Sequence, residues 1–138
     1  MSKFAAHTKV PESQSRAEIE KILGRYHADR FMWFKEPQRA VLIFEGHGRR
    51  VRFDLPVPDA TNDKTAQQAR QRWRALVLCI KAKLESVETG IETFEEAFLA
   101  HVVMPDGKTV ADHTKQRIAS AYDGGEVQAL LPPPREVP

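Results

Sequence analysis

The stretch that decides the fold is FMWFKEPQRAVLIFEGHGRRVRFDL, which occupies residues 31–55. Three runs rich in aromatic and branched residues predict three strands, over 31–34, 41–44 and 50–55. Pro37 and the tripeptide Gly46-His47-Gly48 separate these runs, and such residues favour chain reversals. The second run is apolar on both faces, whereas the third alternates apolar and charged residues. The sequence therefore predicts a three-stranded antiparallel meander whose second strand is central.

Helical patterns flank this stretch on both sides. Capping-box patterns mark three helix starts, at Ser15, Thr93 and Thr109. The first predicts a helix over about 16–27. Apolar residues from Trp73 to Val87 fall on one stripe for about four turns, which predicts a long helix. We therefore expect an α+β fold: an N-terminal helix, the meander, a long helix packed on the sheet and two shorter C-terminal helices.

The length of 138 residues fits one compact domain. We expect a flexible arm over 1–14, which is polar and lacks periodicity, a single α+β domain over 15–126, and a proline-rich tail over 127–138. Cys79 is the only cysteine, so no intramolecular disulfide can form, and its place beside the apolar stripe predicts a buried, inert thiol. No apolar run is long enough to cross a membrane, so we expect no membrane partner.

Charge is nearly balanced overall but segregated along the predicted long helix. The 21 basic and 19 acidic residues give a net charge of +2, which excludes a histone-like polycation. Six basic residues and no acid lie between Lys64 and Lys83, whereas five glutamates and no base lie between Glu85 and Glu96. A basic half-helix of this kind is typical of phosphate binding by charge neutralisation, with an affinity that falls as salt rises.

A nucleic-acid site is the sharpest hypothesis that this charge pattern supports. The predicted phosphate contacts come from the long helix and the third strand, and the predicted stacking residues come from the first strand: Arg70, Arg74, Lys81, Arg50 and Arg52, with Trp33 and Phe34. The hypothesis requires cations from two distant stretches to meet on one surface. The alternatives are a solvated helix face, pairing of the opposed charged runs within or between chains, and burial of the aromatic residues in the core.

No pattern of catalytic or metal-binding residues stands out. The five histidines include no dense ligand spacing, and His101 and His113 would approach each other only across a turn. The tripeptide Gly46-His47-Gly48 joins strand to strand and is not a phosphate loop. We therefore expect a protein that is not an enzyme and that uses no metal and no cofactor.

Six segments between residues 15 and 110 carry a resemblance to a known group of proteins. They are SRAEIE (15–20), GRRVRFDLP (48–56), QRWRAL (71–76), IKAKLE (80–85), TFEEAFL (93–99) and PDGKTV (105–110). Their order resembles that of small proteins of no established activity that tailed phages and prophages encode. The resemblance implies a phage origin and action in the host cytoplasm. The strand and helix order is also similar to the core of phage single-strand annealing proteins, which is a likeness of fold only.

Three hypotheses of function follow. The first is a non-enzymatic phage accessory protein that binds nucleic acid, preferably single-stranded and as a homo-oligomer, in replication or recombination. The second is a module for host takeover or anti-defence that docks on a host or phage protein through its sheet edge, arm and proline tail. The third is a structural or assembly component joined through the opposed charged runs.

Overall fold

The computed structural model describes residues 5–28, 30–125, 127, 129 and 131. Its elements, in chain order, are α1 (Glu12–Arg25), β1 (Arg30–Glu36), β2 (Arg39–Gly46), β3 (Arg49–Pro56), α2 (Asp63–Glu88), α3 (Phe94–Ala97), a 3₁₀ turn (Leu99–His101) and α4 (Val110–Gly124). This order confirms the predicted α+β fold, with one helix before the sheet and a long helix after it.

The sheet is an antiparallel meander in the order β1-β2-β3, which confirms that the apolar second strand is central. Two-residue turns close both hairpins, at Pro37-Gln38 and at His47-Gly48. His47 and Gly48 both have positive φ, 51° and 75°. These values match a type I′ turn, whose twist agrees with the right-handed twist of paired strands.

The strand register divides the sheet into two faces. Trp33, Leu42 and Phe53 lie opposite one another on what we call the covered face, because α1 and α2 pack there. The alternate positions form the open face, on which Met32, Ile43 and Arg52 are aligned. Since side chains alternate along a strand, a residue on one face cannot share a surface with its immediate neighbour in sequence.

The hydrophobic core lies between the covered face and the helices. Phe44 at its centre is fully buried, and its ring lies 5.5 Å from that of Phe98 and 6.4 Å from those of Phe53 and Phe94. The stripe of α2 enters this core, because Trp73, Leu76, Val77, Ile80 and Leu84 are all buried. The predicted packing of the long helix on the sheet is thus observed.

Helix α1 begins earlier than its sequence pattern predicts. Pro11 occupies the N-cap position with extended backbone, and the predicted capping residue Ser15 lies fully buried inside the helix. The Ser15 hydroxyl has no hydrogen-bond partner among the described residues, so the predicted capping box with Glu18 is wrong. The capping boxes predicted at Thr93 and Thr109 are both present.

The segment before α1 contacts the rest of the fold. Ala5 is fully buried, and the side-chain amide of Gln67 donates to the carbonyl oxygens of Ala6 and Thr8, at 3.4 and 2.9 Å. Part of the arm predicted over 1–14 is therefore held against α2, and its last residues form the first turn of α1. The predicted tail over 127–138 lies outside the described residues except for 127, 129 and 131.

Cys79 is exposed, so its predicted burial is wrong. A step of one residue turns an α-helix by about 100°, because one turn takes about 3.6 residues. Cys79 therefore lies well away from the stripe that includes Leu76 and Ile80, although it adjoins that stripe in sequence. None of the described helices is both long enough and apolar enough to cross a membrane.

Candidate nucleic-acid interface

The predicted phosphate-binding residues lie on opposite sides of the molecule. Arg50 and Arg52 alternate with the buried residues Val51 and Phe53, so their side chains belong to the open face of the sheet. Helix α2, with Arg70, Arg74 and Lys81, packs against the covered face. The structure therefore does not bring the two sets onto one surface, because the sheet itself separates them.

The two open-face arginines are held by carboxylates of their own chain. The guanidinium of Arg50 donates twice to Glu45 Oε1, at 3.2 and 2.8 Å, and Arg30 lies 3.4 Å from the same carboxylate. The hydrogen bond from Arg50 and the charge of Arg30 lower the pKa of Glu45 below its usual value. Arg52 Nη2 donates to Asp112 Oδ2 at 3.1 Å. These contacts leave the open face nearly balanced in charge.

The two predicted stacking residues point away from each other. Trp33 lies on the covered face, half-buried, with its ring 5.0 Å from that of Trp73 in an edge-to-face contact. Phe34 is 38% exposed and belongs to the open face. Trp33 therefore serves the core, and Phe34 is separated by the sheet from the cations of α2.

A groove between α1 and α2 is lined by four basic side chains. The two helices run side by side in the same direction, since Glu12 lies near Arg70, and Arg25 lies near Lys81. The groove encloses about 590 Å³. We call it the basic groove; the charged residues that line it are Lys21, Arg25, Arg74, Lys81 and Glu18. Four cations against one carboxylate give it a net charge of +3.

One cation of the basic groove is already paired. Arg74 forms a salt bridge with Glu18, in which the two side chains are 23% and 33% exposed. Within the described part of the chain, no carboxylate lies at ion-pair distance from Lys21, Arg25 or Lys81. Those three cations are available to an anion from outside.

Arg70 lies beside the basic groove and does not line it. Its guanidinium donates to Gln67 Oε1 at 3.1 and 2.5 Å. Gln67 in turn holds the chain before α1, so Arg70 is part of a structural contact. It lines a smaller depression of about 360 Å³ together with Lys9 and Glu12.

The predicted site did not include Lys21 and Arg25, although their spacing in the sequence indicates that they share a helix face. They lie four residues apart and therefore on one face of α1, with the same spacing as Arg70 and Arg74 on α2. The acidic neighbours Glu18 and Glu20 make the charge of α1 mixed along the sequence. Only the packing of the two helices shows that the basic residues face the same groove.

The remaining polar clusters of the described residues include no candidate metal site. No group of three or more potential metal ligands is found there. His113 Nε2 lies 2.7 Å from Asp106 Oδ2. The ring of His101 stacks on that of Phe53 at 4.0 Å, and burial lowers the pKa of His101 below its usual value. These two histidines therefore have structural partners.

Comparison with known proteins identifies no relative. No family model matches the chain, and no curated protein or solved structure matches it. A functional assignment therefore rests on the charges and contacts of the chain itself.

Proposed function

We propose that this protein is a non-enzymatic nucleic-acid-binding protein that holds a sugar–phosphate backbone in the basic groove. The observation that carries the proposal is the convergence on one groove of Lys21, Arg25 and Lys81, none of which has an ion-pair partner among the described residues. Clustered lysine and arginine side chains bind nucleic acid by neutralising phosphates and releasing condensed counterions. Arg74 supplies a fourth cation when its bond to Glu18 opens.

The shape of the groove suits one sugar–phosphate backbone. The axes of packed helices lie about 8–10 Å apart, so a whole duplex cannot enter between α1 and α2, but one backbone can lie along the furrow that they form. The preference for a single strand stays a prediction. Arg74 and Lys81 are seven residues apart, which corresponds to about 10 Å along α2. A strand running along the helices would thus meet cations on both sides of the channel.

The lining of the groove predicts binding without sequence preference. No described residue that lines it is aromatic, so stacking of bases against the protein makes no contribution there. Contacts to phosphates alone position a nucleic acid but carry no sequence information. The proposal retains Arg74 and Lys81 from the sequence hypothesis and replaces the open-face residues with Lys21 and Arg25. A role in phage replication or recombination follows from the sequence resemblance and stays a prediction.

The test is a titration of fluorescently labelled oligodeoxythymidine at low salt, followed by fluorescence anisotropy. The double variant Lys21→Glu with Lys81→Glu reverses the charge of two cations that line the groove. Its matched control, Lys64→Glu with Lys108→Glu, makes the same change of charge at two exposed positions outside the groove. We expect the groove variant to weaken binding at least about tenfold and the control to change it no more than about threefold.

A further variant separates the groove from the surface that the sequence hypothesis favoured. Arg50→Gln removes a cation from the open face and is expected to bind oligodeoxythymidine like the wild type. Absence of binding by the wild-type protein would overturn the proposal. So would binding that survives in the groove variant, or binding that Arg50→Gln abolishes while its circular dichroism spectrum stays native.

A further inference from the structure

The first strand of the sheet has an open outer edge. Among the described strands, β1 has only β2 as a neighbour. The other edge of the sheet is partly covered, since Val51 bridges to Val102 and Val103 N donates to Arg50 O at 2.8 Å. Six of the seven residues of β1 are exposed, and none of the seven is proline. Such an edge presents unpaired backbone groups that can pair with another strand.

The register of the sheet shows which backbone groups face outward. Because a two-residue turn joins β1 to β2, Glu36 and Arg39 form the closing hydrogen-bonded pair, and the even-numbered residues of β1 bond to β2. Val57 N donates to Gln38 O on the β3 side of the turn, as expected if Arg39, the next residue, bonds to β1. The N–H and C=O groups of Phe31, Trp33 and Lys35 therefore point away from the sheet.

We propose that β1 pairs antiparallel with β1 of a second copy of this chain, around a twofold axis at Trp33, to form a six-stranded sheet. In this register Phe31 lies opposite Lys35 of the second copy, and Trp33 lies opposite its counterpart. All three outward-facing residues of each strand then form hydrogen-bonded pairs, which makes six backbone hydrogen bonds. A shift by two residues in either direction would lose two of them.

Charge and hydrophobic complementarity select the same register. On the open face Arg30 lies opposite Glu36 of the second copy, and Met32 lies opposite Phe34. Each pair occurs twice, and each occupies a non-hydrogen-bonded position, where cross-strand side chains approach most closely. Met32 is 54% exposed and Phe34 is 38% exposed in the single chain, so the pairing removes apolar surface from water.

Trp33 is the residue that the twofold axis would place against its own copy. Because a twofold axis normal to the sheet keeps both covered faces on one side, the two basic grooves would also lie on the same side of the joint sheet. The dimer itself does not depend on nucleic-acid binding.

The test combines two charge reversals with measurement of mass by light scattering after size exclusion. The wild-type protein is expected at 31.4 kDa, twice the 15.7 kDa of one chain. Arg30→Glu and Glu36→Arg each place like charges opposite each other twice per dimer, so each variant alone should raise the dimer dissociation constant about tenfold or more. An equimolar mixture restores two attractive pairs and should form a heterodimer.

The mixing step distinguishes an interface from a merely structural role. Within one chain Arg30 also lies 3.4 Å from Glu45, and Glu36 lies 2.8 Å from Arg39, so each reversal removes an internal ion pair. Mixing cannot restore those internal contacts. A wild-type monomer at every concentration would overturn the proposal. A dimer that both single variants retain, or a mixture that stays monomeric, would overturn it as well.

Discussion

Removing the one carboxylate of the basic groove should strengthen nucleic-acid binding. Among the described residues that line the groove, Glu18 is the only acidic one, and it holds Arg74 in a half-buried salt bridge. Glu18→Gln keeps the size of the side chain and deletes its charge. Arg74 is then released to a phosphate, and the groove charge rises from +3 to +4.

The size of the effect follows from the number of available cations. Each phosphate neutralised on a single strand contributes about −0.7 to the slope of log K against log salt concentration. Lys21, Arg25 and Lys81 therefore predict a slope of about −2 for the wild type, and the addition of Arg74 predicts about −2.8. If the gain vanishes near 1 M salt, the variant should bind about fivefold more tightly at 0.1 M. Loss of a partly exposed ion pair should cost no more than about 1 kcal/mol of stability.

The assay is an anisotropy titration with oligodeoxythymidine at several salt concentrations. Glu20→Gln is the matched control, because it deletes the same charge from an exposed position of α1 outside the groove. The two variants have equal net charge, so a general electrostatic effect would change both alike. A slope and an affinity for Glu18→Gln that equal those of Glu20→Gln would refute the reasoning.

Three further expectations concern the fold. Phe44→Ala should lower the free energy of unfolding in urea by about 3–5 kcal/mol, because the ring is fully buried among other phenylalanines; a loss below about 1 kcal/mol would contradict this packing. Burial lowers the pKa of His101 from 6.5, so the fold favours its neutral form. Its stabilising contribution is therefore present above pH 6.5 and lost as pH falls through the folded-state pKa. Thermal melts from pH 7.5 to 5.5 should show that loss in the wild type and less of it in His101→Phe. Cys79 should react with a thiol reagent without denaturant, and slow reaction would contradict its exposure.

The sheet and the helix order were predictable because their signals are local. The alternation around Val51 and Phe53 and the turn residues at Gly46-His47-Gly48 depend only on neighbouring residues. The start of α1 was not predictable in this way, since Ser15 is a preferred N-cap residue and Pro11, which occupies the N-cap in the structure, is not. Packing decides between them, because Ser15 is buried in the fold.

Local patterns bear on part of the candidate site, and the rest depends on contacts between residues that are distant in sequence. Side chains alternate along β3, so the arrangement that points Val51 inward also points Arg50 and Arg52 to the face of the sheet away from α2. These two arginines therefore cannot share a surface with the basic residues of α2. One partner of Arg52 is Asp112, which is sixty residues distant and belongs to α4. The basic groove depends likewise on the packing of α1 against α2, which brings together cations that are 49 to 60 residues apart in sequence.

The most direct test of the central claim is a titration of ¹⁵N-labelled protein with oligodeoxythymidine, followed by backbone amide chemical shifts. We predict that the largest shifts fall on both sides of the basic groove, at Lys21 and Arg25 of α1 and at Arg74 and Lys81 of α2. Shifts confined to the open face of β1 and β3, or no shifts at all at low salt, would contradict it.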